Sequence, residues 1–162
     1  FFNMNLAGGA LLDIGVYALS IVRSFMTEKP ADIVSQWKPS PAGSDEQAAI
    51  LLKNKDGQMA TVALSLHSKQ PKRAMISCEK GYIEIMEYPR ADRAKIVDAS
   101  TGEKKEISCG KTEDALFYEM TDMERAVESG DETEMYLNYT KDVMDIMTGL
   151  RREWGLKYPE EM

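Results

Sequence analysis

The sequence predicts an α+β fold, a mainly antiparallel open sheet with helices on one face. Three observations carry that expectation. A helical pattern opens the chain, a run of strand patterns joined by short turns follows, and two helical patterns close it. Helices do not alternate with strands, which argues against a doubly wound parallel sheet. The length of 162 residues, with 43% hydrophobic and 29% charged, fits one domain over 1–162. It sets aside disordered, collagen-like and disulfide-dense chains.

Leu6-Ala7-Gly8-Gly9 reads as a flexible lead-in to a helix from about Ala10 to Met26. At helical spacing, Leu11, Ile14, Ala18, Ile21, Val22 and Phe25 gather on one face, and Asp13, Tyr17, Ser20 and Ser24 on the opposite one. Lys29-Pro30 stops the helix. Strands are expected over 31–38 and 47–53, then 58–67, where Asn54-Lys55-Asp56-Gly57 makes the hairpin turn. In that third strand Ala60, Val62, Leu64 and Leu66 point one way, and Thr61, Ala63, Ser65 and His67 the other. Strands over 72–78, 82–87, 94–98 and 104–108 follow, with turns at Glu79-Lys80-Gly81 and Ser100-Thr101-Gly102. A helix over about 113–128 carries Leu116, Met120, Met123 and Val127 as its apolar stripe, and Ser129-Gly130 ends it. A last helix over about 134–154 carries Tyr136, Tyr139, Val143, Ile146, Met147, Leu150 and Trp154, and Gly155 caps it.

Lys and Arg number 20 against 27 Asp and Glu, a net charge of -7, and no basic stripe is present. Nucleic acid and an anionic membrane surface are therefore poor partners. No apolar run approaches the ~20 residues that span a bilayer, and the start lacks a signal peptide's charged region. Cys78 at a strand end and Cys109 in a loop form neither a metal pattern nor a disulfide framework, and are expected reduced in a cytoplasmic chain. A single histidine, His67, argues against a zinc site. The opening on Phe1, with Gly-rich sequence soon after, is expected of a piece cut from a longer protein.

The candidate site is the pair Asp13 and Tyr17, four apart and hence neighbours on one helix face. A phenol can give a proton to a carbonyl oxygen as it becomes an alkoxide, helped by a positive neighbour, while a carboxylate beside it orients or hydrogen-bonds. The same spacing also describes the solvated face of an amphipathic helix. Gly8 and Gly9 let a ligand or another backbone approach closely, or simply make a turn. No dinucleotide fingerprint is present, since no strand precedes Gly8-Gly9.

The run Leu6-Ala7-Gly8-Gly9-Ala10-Leu11-Leu12-Asp13-Ile14-Gly15-Val16-Tyr17 resembles the signature of the Gfo/Idh/MocA oxidoreductases, in the Tyr form of the branch of dimeric dihydrodiol dehydrogenases and xylose dehydrogenases. Glu79-Lys80-Gly81-Tyr82-Ile83-Glu84-Ile85, Phe117-Tyr118-Glu119-Met120 and Trp154-Gly155-Leu156-Lys157-Tyr158-Pro159 extend the resemblance along the chain. Ala7 departs from it, standing where many members have a third glycine. The resemblance is to the C-terminal domain alone, without the Rossmann domain. It implies a substrate-binding and dimerisation domain of an enzyme acting on the CH–OH group of a sugar, polyol or related hydroxy compound. Tyr17 and Asp13 would then be the catalytic residues, Tyr17 as proton donor or acceptor at the substrate oxygen and Asp13 helping to position the substrate or tune the lysine of the other domain, and Gly8 and Gly9 would line the substrate site with them. NAD or NADP would be bound mainly by the missing domain, which also brings a catalytic lysine. A small-molecule substrate and a second copy docked on the open sheet face are the implied partners. Glu28-Lys29-Pro30 matches the family's lysine tripeptide but lies after Asp13, and reads as a helix stop. The alternative function is a non-catalytic ligand-binding or scaffold and dimerisation domain.

Overall fold

A computed structural model describes residues 1–161. The chain divides into two units, Phe1–Gln70 with Asn138–Met162, and Pro71–Leu137. The α+β class and the antiparallel strand order hold, but the expected single sheet is two, β1-β2-β3 and β4-β5-β6-β7. The break falls in Lys69-Gln70-Pro71, where proline offers no N–H for a ladder to continue.

In the first unit a π-helical turn, Leu11–Gly15, runs directly into α1, Val16–Phe25. The expected helix is present, with its face rotated. Ala10, Leu11, Gly15, Ala18, Leu19, Arg23 and Met26 are the buried positions, whereas Phe25 is 42% exposed and Ile14, Ile21 and Val22 are half-buried. A π turn holds more residues than an α turn, so positions on either side of it fall out of the uniform phase. Gly15 sits where a Cβ would lie 2.9 Å from Leu64 Cδ1, so the missing side chain lets the helix close on the sheet.

That sheet runs β1 (Asp32–Pro39), β2 (Asp45–Lys53) and β3 (Met59–Ser65). Register places Ile50 beside Ser35 and Val62, and Leu52 beside Ile33 and Ala60. On β3 the expected alternation holds, with Val62 and Leu64 buried and Thr61 and Ala63 exposed. The β2–β3 turn is fixed by Gly57 at φ +83° and by buried Asn54, whose Oδ1 accepts from Gln58 N at 2.8 Å and whose amide donates to Gln58 Oε1 at 2.7 Å. Glu28 Oε1 accepts from Lys55 N at 3.0 Å and Lys29 lies 3.9 Å from Asp145, so the tripeptide at the helix stop ties neighbouring segments together.

Helix α3, Leu137–Glu153, supplies Val143, Ile146, Met147 and Leu150 to this core. Trp154 then stacks on Trp37 at 5.4 Å and donates to Ser35 Oγ at 2.8 Å. Arg23 joins the two helices, giving its Nε to Asp142 at 2.7 Å and lying 4.3 Å over the Tyr139 ring. Gly155, at φ +65°, ends the turn as expected. Tyr136 does not join the stripe. It lies outside the helix at φ 49° and is exposed.

The second unit is a meander of β4 (Arg73–Cys78), β5 (Gly81–Met86), β6 (Arg93–Asp98) and β7 (Lys104–Ser108), followed by α2, Ala115–Ser129. Glu84 faces Arg73 at 3.7 Å and Lys95 at 3.9 Å across three strands. Asp98 organises the β6–β7 turn, its Oδ1 accepting from Ser100 N at 2.8 Å, Ser100 Oγ at 2.6 Å and Thr101 N at 2.9 Å. These bonds hold its carboxyl at about 2, below the ordinary 3.8. The stripe expected to bury α2 does not: Leu116, Met120, Met123 and Val127 are 49–73% exposed, and Ala126 is the buried position. Periodicity shows that a helix has an apolar face; it does not show that anything covers it.

The opening of the chain amends two expectations. The lead-in is a 3-10 turn, Met4–Leu6, capped by Asn3, whose Oδ1 accepts from Asn5 N at 2.9 Å. And Met4–Phe25, 22 residues at mean hydropathy 1.5, is long and apolar enough to cross a membrane by length and composition. Asn5, Asp13 and Arg23 interrupt it as a run without lowering its mean far. A core helix passes the same test, and this one seats Leu11, Ala18 and Leu19 in the first unit.

Candidate active site

The site begins at the glycine doublet. Ala7 takes the left-handed conformation at φ 49°, and Gly8 N and Gly9 N donate back to Asn3 O at 3.0 Å and Phe1 O at 2.9 Å. A Cβ on Gly8 would lie 2.3 Å from Phe1 O. Gly9 stands at φ +134°, and a Cβ there would lie 2.0 Å from Asp45 Oδ1. The space that side chains would fill is therefore taken by the chain's own carbonyl and carboxylate. Tyr158 encloses the turn further, its hydroxyl donating to Gly8 O at 3.1 Å. A dinucleotide pyrophosphate does not fit this turn as a cradle, because the close approach the glycines permit is already used.

Asp45, the first residue of β2, is wholly buried. Its Oδ2 accepts from Leu11 N at 2.6 Å, at the start of the helix. Among the described residues its Oδ1 is buried without a hydrogen-bond partner. Burial pushes this carboxyl above its ordinary value, against the pull of the Leu11 amide and, more weakly, of the Asp45 and Ala10 amides. Nothing local in the sequence marks it, since its partner is 34 residues away and no periodic pattern links them.

Asp13 lies inside the π turn and Tyr17 in the first turn of α1. Both are exposed, Tyr17 by 50%, and Ser20 and Ser24 are exposed with them, as the helical spacing predicts. Among the described residues no hydrogen bond or ion pair engages either the Asp13 carboxylate or the Tyr17 hydroxyl. The site helix thus offers one proton-carrying group and one acceptor, both open to solvent. π turns recur where a helix serves a functional site.

Elsewhere, His67 is exposed, 3.5 Å from Glu46 Oε2 and with its ring 5.1 Å from Phe2. Lys38 bonds Glu46 at 2.6 Å and holds that carboxyl below its usual range. Cys78 and Cys109 are free and exposed. No group of three potential ligands able to hold a metal ion occurs among the described residues.

A family model described as the GFO/IDH/MocA C-terminal domain matches residues 1–84, which contain this helix and the whole first sheet. The chain belongs to the Gfo/Idh/MocA family. It is similar to trans-1,2-dihydrobenzene-1,2-diol dehydrogenase of Mus musculus, 31% identical over 84 residues, 51% of this chain and 25% of the relative. The Danio rerio protein of the same name is 24% identical over 168 residues, 97% of this chain and 49% of the relative. The chain thus spans at most about half the length of these curated relatives. Among solved structures it is similar to KijD10, a 3-ketoreductase from Actinomadura kijaniata in complex with NADP and TDP-benzene. That match has a TM-score of 0.74 at 15% identity, over 94% of this chain and 48% of that one. An aldose-aldose oxidoreductase from Caulobacter crescentus matches with a TM-score of 0.71 at 19% identity, over 94% and 49%. These likenesses show the Gfo/Idh/MocA C-terminal fold, and the relatives are dehydrogenases and reductases.

Proposed function

We propose that this chain is the substrate-binding and dimerisation domain, spanning 1–162, of a nicotinamide-dependent oxidoreductase of the cytoplasm. Its substrate is the CH–OH group, or the corresponding carbonyl, of a sugar, polyol or related hydroxy compound. The observation that carries this is the unengaged Asp13 carboxylate and Tyr17 hydroxyl on one exposed helix face, in a domain of an oxidoreductase family. NAD or NADP, held by residues outside this chain, supplies or accepts the hydride. Tyr17 exchanges the proton at the substrate oxygen, and Asp13 fixes the substrate by accepting from a neighbouring hydroxyl. Gly8 and Gly9 shape the floor beneath that helix from within. The outer face of the first sheet offers Val34, Leu51 and Met59 beside small Ala49, Thr61 and Ala63, which suits a second copy.

The test is Tyr17→Phe in the full-length protein, assayed with NAD and NADP against trans-1,2-dihydrobenzene-1,2-diol, glucose, xylose and inositol. Turnover is expected to fall about 10²–10⁴-fold while cofactor affinity, read by quenching of protein fluorescence, holds within about twofold. The chain of 162 residues alone is expected to turn over none of them. Unchanged turnover in Tyr17→Phe would instead favour a ligand-binding or scaffold domain.

A further inference from the structure

The carboxylate beneath the glycine turn has no part in the chemistry above. We propose that Asp45 is a positioning residue for the Asp13–Tyr17 pair, locking the start of the site helix to the sheet; this rests on the reading of that pair as the proton-handling site. The lock has two faces. Oδ2 takes the Leu11 amide at 2.6 Å, the first N–H of the π turn that contains Asp13 and runs into the turn carrying Tyr17. Oδ1 occupies the space that a Cβ on Gly9 would take, and the φ of +134° and missing side chain of that glycine are what leave room for a carboxylate there.

An ordinary helix cap does not look like this. An ordinary cap is local, a Ser, Thr, Asp or Asn that immediately precedes its helix and accepts from the N2 or N3 amide. Asp45 instead comes from a strand 34 residues away, is fully buried, and leaves one oxygen without a partner among the described residues. An uncompensated buried oxygen opposes folding, so a cap chosen for stability alone would satisfy both oxygens. What the long-range bond adds is a fixed origin for the helix relative to β2. The lateral fit is set by Gly15 against Leu64, and Tyr158 holds the other side of the turn at Gly8 O. Release of the Leu11 amide frees the wide turn to slide, which moves Asp13 and Tyr17 together. Displacements of about 1 Å in a site can cost about 10²-fold in rate.

The experiment compares Asp45→Ala, Asp45→Asn and Tyr17→Phe in the full-length protein, with trans-1,2-dihydrobenzene-1,2-diol and NADP as the probe. Two spectroscopic readouts that need no turnover accompany it. One is the Leu11 amide in protein labelled with ¹⁵N-leucine; the other is the ¹⁹F resonance of Tyr17 in protein labelled with 3-fluorotyrosine. Asp45→Ala is expected to lower kcat at least about tenfold with KM within about threefold. It should also speed Leu11 amide exchange at least about tenfold and shift the Tyr17 resonance while leaving that of Tyr118 in place. Asp45→Asn, which keeps an acceptor of the same shape, is expected to restore most of kcat and the Tyr17 resonance. A folded Asp45→Ala protein with an unmoved Tyr17 resonance overturns the proposal, as does an Asn variant as impaired as Ala. If the Ala variant does not fold, the unsubstituted protein decides. A Leu11 amide far downfield and slow to exchange supports the lock, and an ordinary, rapidly exchanging one overturns it. Normal turnover in Tyr17→Phe overturns the assigned chemistry instead, and leaves the Leu11 and Tyr17 resonances free to report on Asp45.

Discussion

The two units are built from the same alphabet and hold together differently. Among the described residues, sixteen of the eighteen buried apolar side chains belong to the first unit, and the second supplies Val97 and Ala126. In the first, helix and sheet faces meet, and Leu11, Leu19, Leu52 and Leu150 are fully enclosed. In the second, a four-stranded ladder, the Glu84 ion pairs and the Asp98 turn carry the structure, and the apolar side of α2 stays open. Amphipathic periodicity is common to both. Only where two such faces are brought opposite one another does it become burial, and burial is what supplies most of the stability.

The contrast breaks most visibly under truncation. Leu19→Ala is expected to cost about 2–5 kcal/mol by urea denaturation followed by circular dichroism, because it empties a closed core position. Met120→Ala, the same kind of truncation on α2, should stay within about 0.5 kcal/mol. Equal costs would mean that α2 is covered in solution. Acid gives the next largest separation. Asp98 titrates at about 2 when folded and near 3.8 when unfolded, so its contribution is full above pH 4 and is lost as pH falls toward 2. The Ser100 and Thr101 amides should lose protection over that interval by hydrogen exchange. Asp45 has the opposite sign. Its folded carboxyl holds a proton to higher pH than an unfolded one, so its burial opposes folding less as pH falls through the window just above 3.8. The smallest effect is expected at Ala7, which occupies a left-handed conformation that suits glycine. Ala7→Gly should stabilise the first unit by about 0.5 kcal/mol, seen as a small rise in the urea midpoint.

What the sequence revealed was what neighbouring residues decide. The hairpin at Asn54–Gly57, the alternation of β3 and the stops at Gly130 and Gly155 rest on local turn chemistry and short periods, and all of them stand. The exposed side of the site helix, with Asp13 and Tyr17, was legible for the same reason. Its buried side was not, because the π turn at Leu11–Gly15 resets a phase that uniform spacing takes as constant. The open stripe of α2 and the division into two sheets depend on which surfaces meet, information that no short window contains. Asp45 belongs to that class too. Read alone, Ser44-Asp45-Glu46 is a polar strand entry, yet all three are buried, and the bond to Leu11 explains the middle one.

The stacked pair Trp37 and Trp154 has a practical consequence. They are the two tryptophans of the chain, and both belong to the unit that carries the site helix. Intrinsic emission excited at the red edge therefore watches that half alone. A single smooth fluorescence transition would therefore not establish that the chain melts in one step.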